Sequence, residues 1–470
     1  MVPGTPPPKS DLLLLAALFM WELSLTVMAM AMYMKGERPF DVFLFSKPGA
    51  AFLLAIPLSV TAGAVILGHY RASTRARSRH FRLIVTMNLV TVLLILITGE
   101  VAMRIVTRSS SKGETLGNME LRPKNWETIA LHYRQLLDQT TGFLTYLVYD
   151  DLMGWTVGSN RRRTTGRHWP FPYWSSSEGI RAPSEGVSFA QLGGKTRIAL
   201  VGDSFVFGEE VPYEDTWGDR LEKALGSEFQ VLNFGVAAYG VDQAYLRYEK
   251  DVRKWNPKIV IFGFISHDLE RTMNVYGFLA FPGWDIPFSK PRFILRDGTL
   301  TRMNVPPLTP EAIFSRQSIL ELPFLEDDRG YRPSDWQERF YHRSYLARLF
   351  VSRFRPWSAV SPDVSDEPLV SVNAAILKAF VQSAEQAGTI PLVVYFPEKQ
   401  EIEEPSSPLT RGKRALQRAG ITYTDPTPCL LEVNPGDRFV PSGRHYSPQG
   451  NAAVAKCLLN VVHQALAQAT

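Results

Sequence analysis

Apolar and polar positions divide the chain sharply in two. Over the first hundred residues the apolar runs are long and nearly unbroken: 12–34, interrupted by Glu22 and a few hydroxyls, then 50–70, carrying Pro57, then 83–103. At 1.5 Å per residue each is long enough to cross ~30 Å of hydrocarbon as a helix. The first is too long for the h-region of a cleaved signal peptide, which in any case would account for one run only. Three transmembrane helices are therefore expected, in a membrane region spanning 1–104. From residue 195 the pattern changes to short apolar strands alternating with amphipathic stretches. Strands are expected at 197–201, 230–234, 259–264, 390–396 and 421–423, and helices at 215–225, 241–255, 369–387 and 448–467. Such alternation predicts an α/β domain with a mostly parallel sheet and helices on both faces. Ligands bind such sheets beyond the C-terminal strand ends.

Between these regions, 105–194 reads as a linker and N-terminal extension, with helix-like spacing over 125–149. The stretch NRRRTTGRHWPFPYW, 160–174, mixes basic and aromatic residues. Nucleic acid or an anionic lipid surface would suit that mixture, but a solvated loop packing its aromatics on the neighbouring domain is the preferred reading. Residues 270–365 interrupt the alternation as an insertion, and RFILRDGTLTR within it predicts a hairpin turning at Asp297–Gly298.

Loop charge sets the orientation. Arg71, Arg75, Arg77, Arg79 and Arg82 follow the second run with no acid among them, whereas the basic residues between the first two runs are offset by Glu37 and Asp41. The arginine-rich loop is thus cytoplasmic, the N-terminus is also inside, and everything after the third run lies outside: in the periplasm, if the source is a Gram-negative bacterium. Glu22 reads as a protonated or paired intramembrane carboxyl, with Asn88 or Thr91 as partners.

The formal charge of +5 is too small to argue for nucleic acid. Two cysteines, Cys429 and Cys457, exclude a disulfide scaffold and a cysteine zinc cluster. They read as unpaired buried thiols, with a single bridge in an oxidising compartment as the alternative. No P-loop, helical His-x-x-x-His or cysteine pair points to a nucleotide, metal or other cofactor, so none is expected.

Three stretches follow strand ends: VGDSFVFG with Ser204, NFGVAAYG with Asn233 and Gly235, and FGFISHDLER with His267 and Asp268; a fourth, SGRHYSPQGN with His445, opens the last helix. In this order and at these positions they resemble the SGNH (GDSL-type) hydrolase family over about 195–467. The resemblance implies a three-layer, flavodoxin-like domain at 195–470 and an acyl-serine mechanism on acyl esters. The chemistry can also be argued from the residues. A serine hydroxyl needs a base within hydrogen-bond reach, and histidine suits that task near neutral pH. Ser204 is the expected nucleophile and His445 its base, with Ser447 capping the helix that follows. The Ser204 and Gly235 amides, with His267, are the expected oxyanion donors. Asp203, Asn233, Asp268 and Ser442 are candidate supporting residues, Asp203 by bonding the nucleophile loop's backbone.

Two departures from the family pattern stand out. His267 occupies the position of the family's oxyanion asparagine, and Ser442 that of the triad aspartate. Either a dyad operates or Asp425 or Asp437 supplies the acid. The expected function is a membrane-anchored serine esterase or O-acyltransferase acting outside the cytoplasm. Its substrate is an acyl ester of an envelope glycan or of a lipid, and the transferase version needs an acyl-donor partner in the membrane. The alternative is a non-catalytic module that binds carbohydrate or envelope-assembly partners.

Overall fold

A computed structural model describes residues 75–139, 142–163, 171–191, 193–354, 365–404 and 409–468. The apolar runs at 12–34 and 50–70, and Glu22, lie outside the described residues. The described chain forms two compact units. One comprises 75–109, 113–125 and 333–354; the other comprises 110–112, 126–332 and 365–468.

In the first unit a single helix, Arg75–Val106, contains the third expected span. Its stretch Leu89–Val106 is long and apolar enough to cross a bilayer. Leu93, Ile97, Val101 and Ile105 all point outward, more than half of Ile105 being exposed. A second helix, Tyr345–Phe354, packs on it, with Leu346 against Gly99. This second helix falls inside the insertion at 270–365, so the insertion is divided between the units.

The second unit is built on a five-stranded sheet: β1 (Thr196–Gly202), β2 (Phe229–Asn233), β3 (Ile259–Phe264), β4 (Ile390–Tyr395) and β5 (Tyr423–Thr424). The order is β2–β1–β3–β4–β5 and every pair is parallel. The order reverses at β1, so the crevice beyond the ends of β1 and β3 is where this topology places ligands. Alternation along the strands buries both faces. Ile198, Leu200, Val231, Ile261 and Val394 pack beneath the helices Trp217–Leu225 and Pro448–Gln468. Ala199, Val201, Leu232, Phe262 and Val393 face the other way, toward Val241–Arg247 and Glu367–Gln386.

Residues 126–191 belong to the same core rather than forming a separate linker. Trp155, Tyr173 and Ile180 are buried in one cluster with Phe207 and Phe234. The helix expected over 125–149 stops at Gln139; Gly142 turns at positive φ and 147–150 is a strand paired with 154–157. In the basic–aromatic stretch, Arg162 lies over Trp174 and Arg163 over Phe143, while Tyr173 is buried, so these groups pack on the domain. The expected hairpin is present: Arg292–Arg296 pairs with Thr299–Met303, and both Asp297 and Gly298 have positive φ, as a tight two-residue turn requires.

The cysteines correct the sequence reading. Cys429 and Cys457 form a disulfide joining the short helix Thr427–Leu431 to the closing helix. Spacing alone could not reveal this, because the 28-residue separation closes only when both helices pack on the same sheet face.

Candidate active site

β1 ends at Gly202, and the chain turns at once into a one-turn helix, Ser204–Phe207. Asp203 caps it, Oδ1 accepting from the Phe205 amide at 2.9 Å. Ser204 is thereby held at the first helical position, beyond the strand end, and its own N–H meets no acceptor among the described residues. The turn closes at Gly208, in the left-handed region at φ 75°.

His445 arrives from the other end of the chain. Its loop is fixed on both sides: Val440 N–H donates to the His445 carbonyl, Tyr446 OH to the Pro397 carbonyl, and Ser447 Oγ caps the closing helix by accepting from Gly450 N–H. Nε2 lies 2.9 Å from Ser204 Oγ. On the opposite side Nδ1 lies 2.6 Å from Glu210 Oε2. A carboxylate accepts, so the ring proton sits on Nδ1, and Nε2 is left to accept the Ser204 hydroxyl. All three groups are buried. Burial raises the Glu210 pKa, but hydrogen bonds from His445 and Ser442 and the charge of Arg444 outweigh it and hold this carboxyl below its usual value.

Glu210 was not among the expected acids, and its position corrects three expectations. Asp425 bonds Thr427 N–H and Lys413, and the Asp437 carboxylate faces Asn434; neither side chain is paired with His445. Ser442 does not bond the imidazole either. Its Oγ donates to Glu210 Oε2 at 2.9 Å, so it steadies the acid. Arg444 donates to the other oxygen at 3.1 Å. Glu210 itself adopts φ 66°, an uncommon conformation for this residue type. Its N–H donates to Tyr173 OH at 2.7 Å, and Arg181 stacks on Tyr173 and Phe207 while bonding the Val211 carbonyl. The basic–aromatic stretch thus takes part in the site through Tyr173.

A second carboxyl lies close by. Glu209 Oε2 is 3.5 Å from His445 Nε2, and Oε1 is buried with no hydrogen-bond partner. Burial raises its pKa; the charges of His445 and Arg163 only partly offset this.

Behind Ser204, Arg271 joins three loops. It lies 3.6 Å from Asp203, bonds Asp268 at 2.5 Å and donates to the Tyr239 carbonyl at 3.1 Å. Asp268 also accepts from Ile265 N–H, which closes the turn after β3; it does not pair with His267. Burial, together with the neighbouring Asp203, pushes Asp268 well above the carboxylate range.

The expected oxyanion donors fare differently. Asn233 spans the loop after β2, donating to the Val206 carbonyl and accepting from Gly235 N–H at 2.9 Å. The Gly235 amide is therefore engaged, which removes it as a free donor. A β-carbon at Gly235 would collide with the Phe207 backbone, so glycine serves close packing there. Three residues on, Ala238 holds φ 65°, and its N–H meets no acceptor among the described residues. Ser204 keeps a free amide. His267 lines the same cleft, with Nδ1 on Glu398 at 2.6 Å; that bond raises its pKa and leaves Nε2 unpaired.

The cleft, about 450 Å³, opens over Ser204 and His445. Its outer wall is polar, with Glu398, Gln400, Glu403 and Arg444, and one large aromatic, Trp284, which is about a third exposed. No cluster of three or more metal-ligating side chains occurs among the described residues.

No family model matches the sequence. No curated protein matches it either. Solved structures similar to it include a lipase/acylhydrolase from Enterococcus faecalis (13% identity, TM-score 0.28, 57% of this chain and 94% of that one). Others are the psychrotrophic esterase EstA from Pseudoalteromonas sp. (9%, 0.30, 58% and 99%) and an acetyl-xylooligosaccharide esterase from Geobacillus Stearmophilus (13%, 0.29, 57% and 95%). Superpositions at this level assign neither a family nor an activity to the chain.

Proposed function

We propose that the chain is an SGNH-type serine hydrolase that cleaves or transfers acyl esters through Ser204, His445 and Glu210. The observation that carries this reading is the pair of hydrogen bonds on one imidazole, Ser204 Oγ to Nε2 and Nδ1 to Glu210. Nε2 takes the hydroxyl proton as Ser204 Oγ attacks the ester carbonyl. Glu210 stabilises the imidazolium that forms. The Ser204 N–H, with His267 Nε2–H when that imidazole is protonated, offers donors to the developing oxyanion. Collapse expels the alcohol, which takes its proton from Nε2. Water, or a second alcohol in the transferase version, then attacks the acyl-serine by the same steps in reverse roles. The non-catalytic alternative drew on the missing aspartate and on His267 at the asparagine position; a carboxylate in hydrogen-bond contact with His445 answers the first of these.

The polar outer wall and the single exposed indole favour a carbohydrate ester over a long-chain lipid, since sugars offer hydroxyls for the one and an apolar ring face for the other. We place this domain outside the cytoplasm, anchored through the helix Arg75–Val106. The Cys429–Cys457 disulfide supports an oxidising compartment.

The test is a serine-directed fluorophosphonate probe together with p-nitrophenyl acetate turnover on the full chain. Labelling and turnover in wild type, with both lost in Ser204→Ala, are expected. A folded wild type that neither labels nor turns over would refute the proposal.

A further inference from the structure

The first unit carries a cavity that plays no part in the ester chemistry. It lies beside the outer end of the apolar helix. Along that helix the first charged side chains after the apolar run are Glu100 and Arg104. Both bind the segment that returns from the insertion. Glu100 accepts from Ser344 Oγ and from the Tyr345 and Leu346 amides at 2.9–3.1 Å, and Arg104 donates to the Arg343 carbonyl at 2.8 Å. Both contacts lie on the last two turns of the helix, within the stretch Leu89–Val106, so the segment is pinned at the end of the candidate span, near the depth of lipid headgroups if the helix spans a bilayer.

The cavity there is about 530 Å³ and is lined by Glu338, Arg339, Phe340, Arg343, Tyr345 and Arg348, among others. Arg348 and the Tyr345 hydroxyl are both spent on Glu114. Arg339 and Arg343 are exposed, and neither guanidinium has an ion pair among the described residues. Between them in sequence stands Phe340, 86% exposed. Two free guanidinium groups suit a phosphate, and an aromatic ring beside them suits the boundary between headgroup and acyl chain. The one acid at the rim without a partner, Glu338, can meet an ammonium carried on the same headgroup.

We propose that this cavity is a phospholipid site: Arg339 and Arg343 hold the headgroup phosphate and Phe340 seats at the acyl boundary. The proposal rests on the membrane reading of the helix Arg75–Val106.

Native mass spectrometry of the full chain, released from detergent after equilibration with phosphatidylethanolamine, tests it. A retained lipid adduct is expected in wild type. At least a tenfold loss is expected in the doubly substituted Arg339→Ala, Arg343→Ala chain, and a smaller loss in Phe340→Ala. Arg339→Lys with Arg343→Lys should recover part of the adduct. Equal adducts in wild type and the double variant, or none in wild type, would overturn the proposal. Parallel carbonate washing of membranes separates the two ideas. Wild type that stays in the membrane but shows no arginine-dependent adduct refutes the lipid site alone. Wild type that washes off refutes the anchor and this site with it.

Discussion

Glu210 Oε2 stands 2.6 Å from His445 Nδ1 across 235 residues of chain, and Glu210 lies only six residues beyond Ser204. Acid and nucleophile therefore share one turn, and the histidine alone is brought in from a distance. Replacing Glu210 by Gln keeps the shape but removes the charge and leaves the imidazole tautomer unfixed. Turnover of p-nitrophenyl acetate should fall by about 10²–10⁴-fold while the melting temperature stays near wild type. Asp425→Asn and Asp437→Asn should leave it within about twofold.

Glu209 gives a pH test. Burial raises its folded-state pKa above the unfolded value, so the folded chain binds the extra proton. The sign for a raised carboxyl is that stability is greatest at low pH and declines as pH climbs from the unfolded pKa toward the folded one. Glu209→Gln removes that decline. The variant should melt with wild type near pH 4 and above it at pH 7–8. A difference that shrinks with rising pH would contradict a buried, proton-binding Glu209. Turnover should fall as well, because the carboxyl beside Nε2 is lost.

Ala238 occupies a conformation that costs an L-residue about 1–2 kcal/mol and glycine almost nothing. Ala238→Gly should stabilise the fold by about 0.5–1 kcal/mol net of the added unfolded-state entropy, measured by denaturant unfolding. A loss of stability would mean that the methyl packing outweighs the backbone strain.

The disulfide encloses the loop that carries His445. By loop-closure entropy, removing it should cost about 3 kcal/mol. Reduction, or Cys429→Ser with Cys457→Ser, should lower both melting temperature and turnover. Probe labelling of Ser204 should fall in step with turnover, since both depend on the same imidazole. Unchanged activity after complete reduction would show that Arg438, which bonds the Leu430 and Val433 carbonyls, holds the loop unaided.

What could be read from sequence was what is local. The strand-to-Asp-Ser turn places Ser204 just past a strand end, because the Asp203 cap settles the local backbone within four residues. The His-Tyr-Ser-Pro run identifies His445 and the start of the last helix for the same reason. The four longer strands appear near their expected places because burial on both faces makes them largely apolar runs, and the short edge strand at 423–424 lies beside its expected place. Glu210 escaped because its meaning depends on a positive-φ turn and on a partner at the far end of the chain. The family pattern also points to Ser442, which bonds Glu210 rather than His445. A signal was present: two adjacent glutamates directly after Gly208, on a turn beginning at the nucleophile. Gly235 misled because glycine in such a loop suggests an open amide, whereas Asn233 occupies it. The disulfide and the pairing of Leu346 with Gly99 depend on how distant helices pack, which periodicity does not encode.

The first unit is assembled from chain segments on either side of most of the second unit, so the polypeptide passes between the units several times. A single proteolytic nick would leave them tethered, and separating the second unit from the first would take several cuts. Trimming the chain at residue 104 to obtain a soluble enzyme removes most of the helix that covers Leu346 and leaves 333–354 without its partner. A well-behaved fragment should instead delete both segments and close the gap between residues 332 and 365 with a short linker.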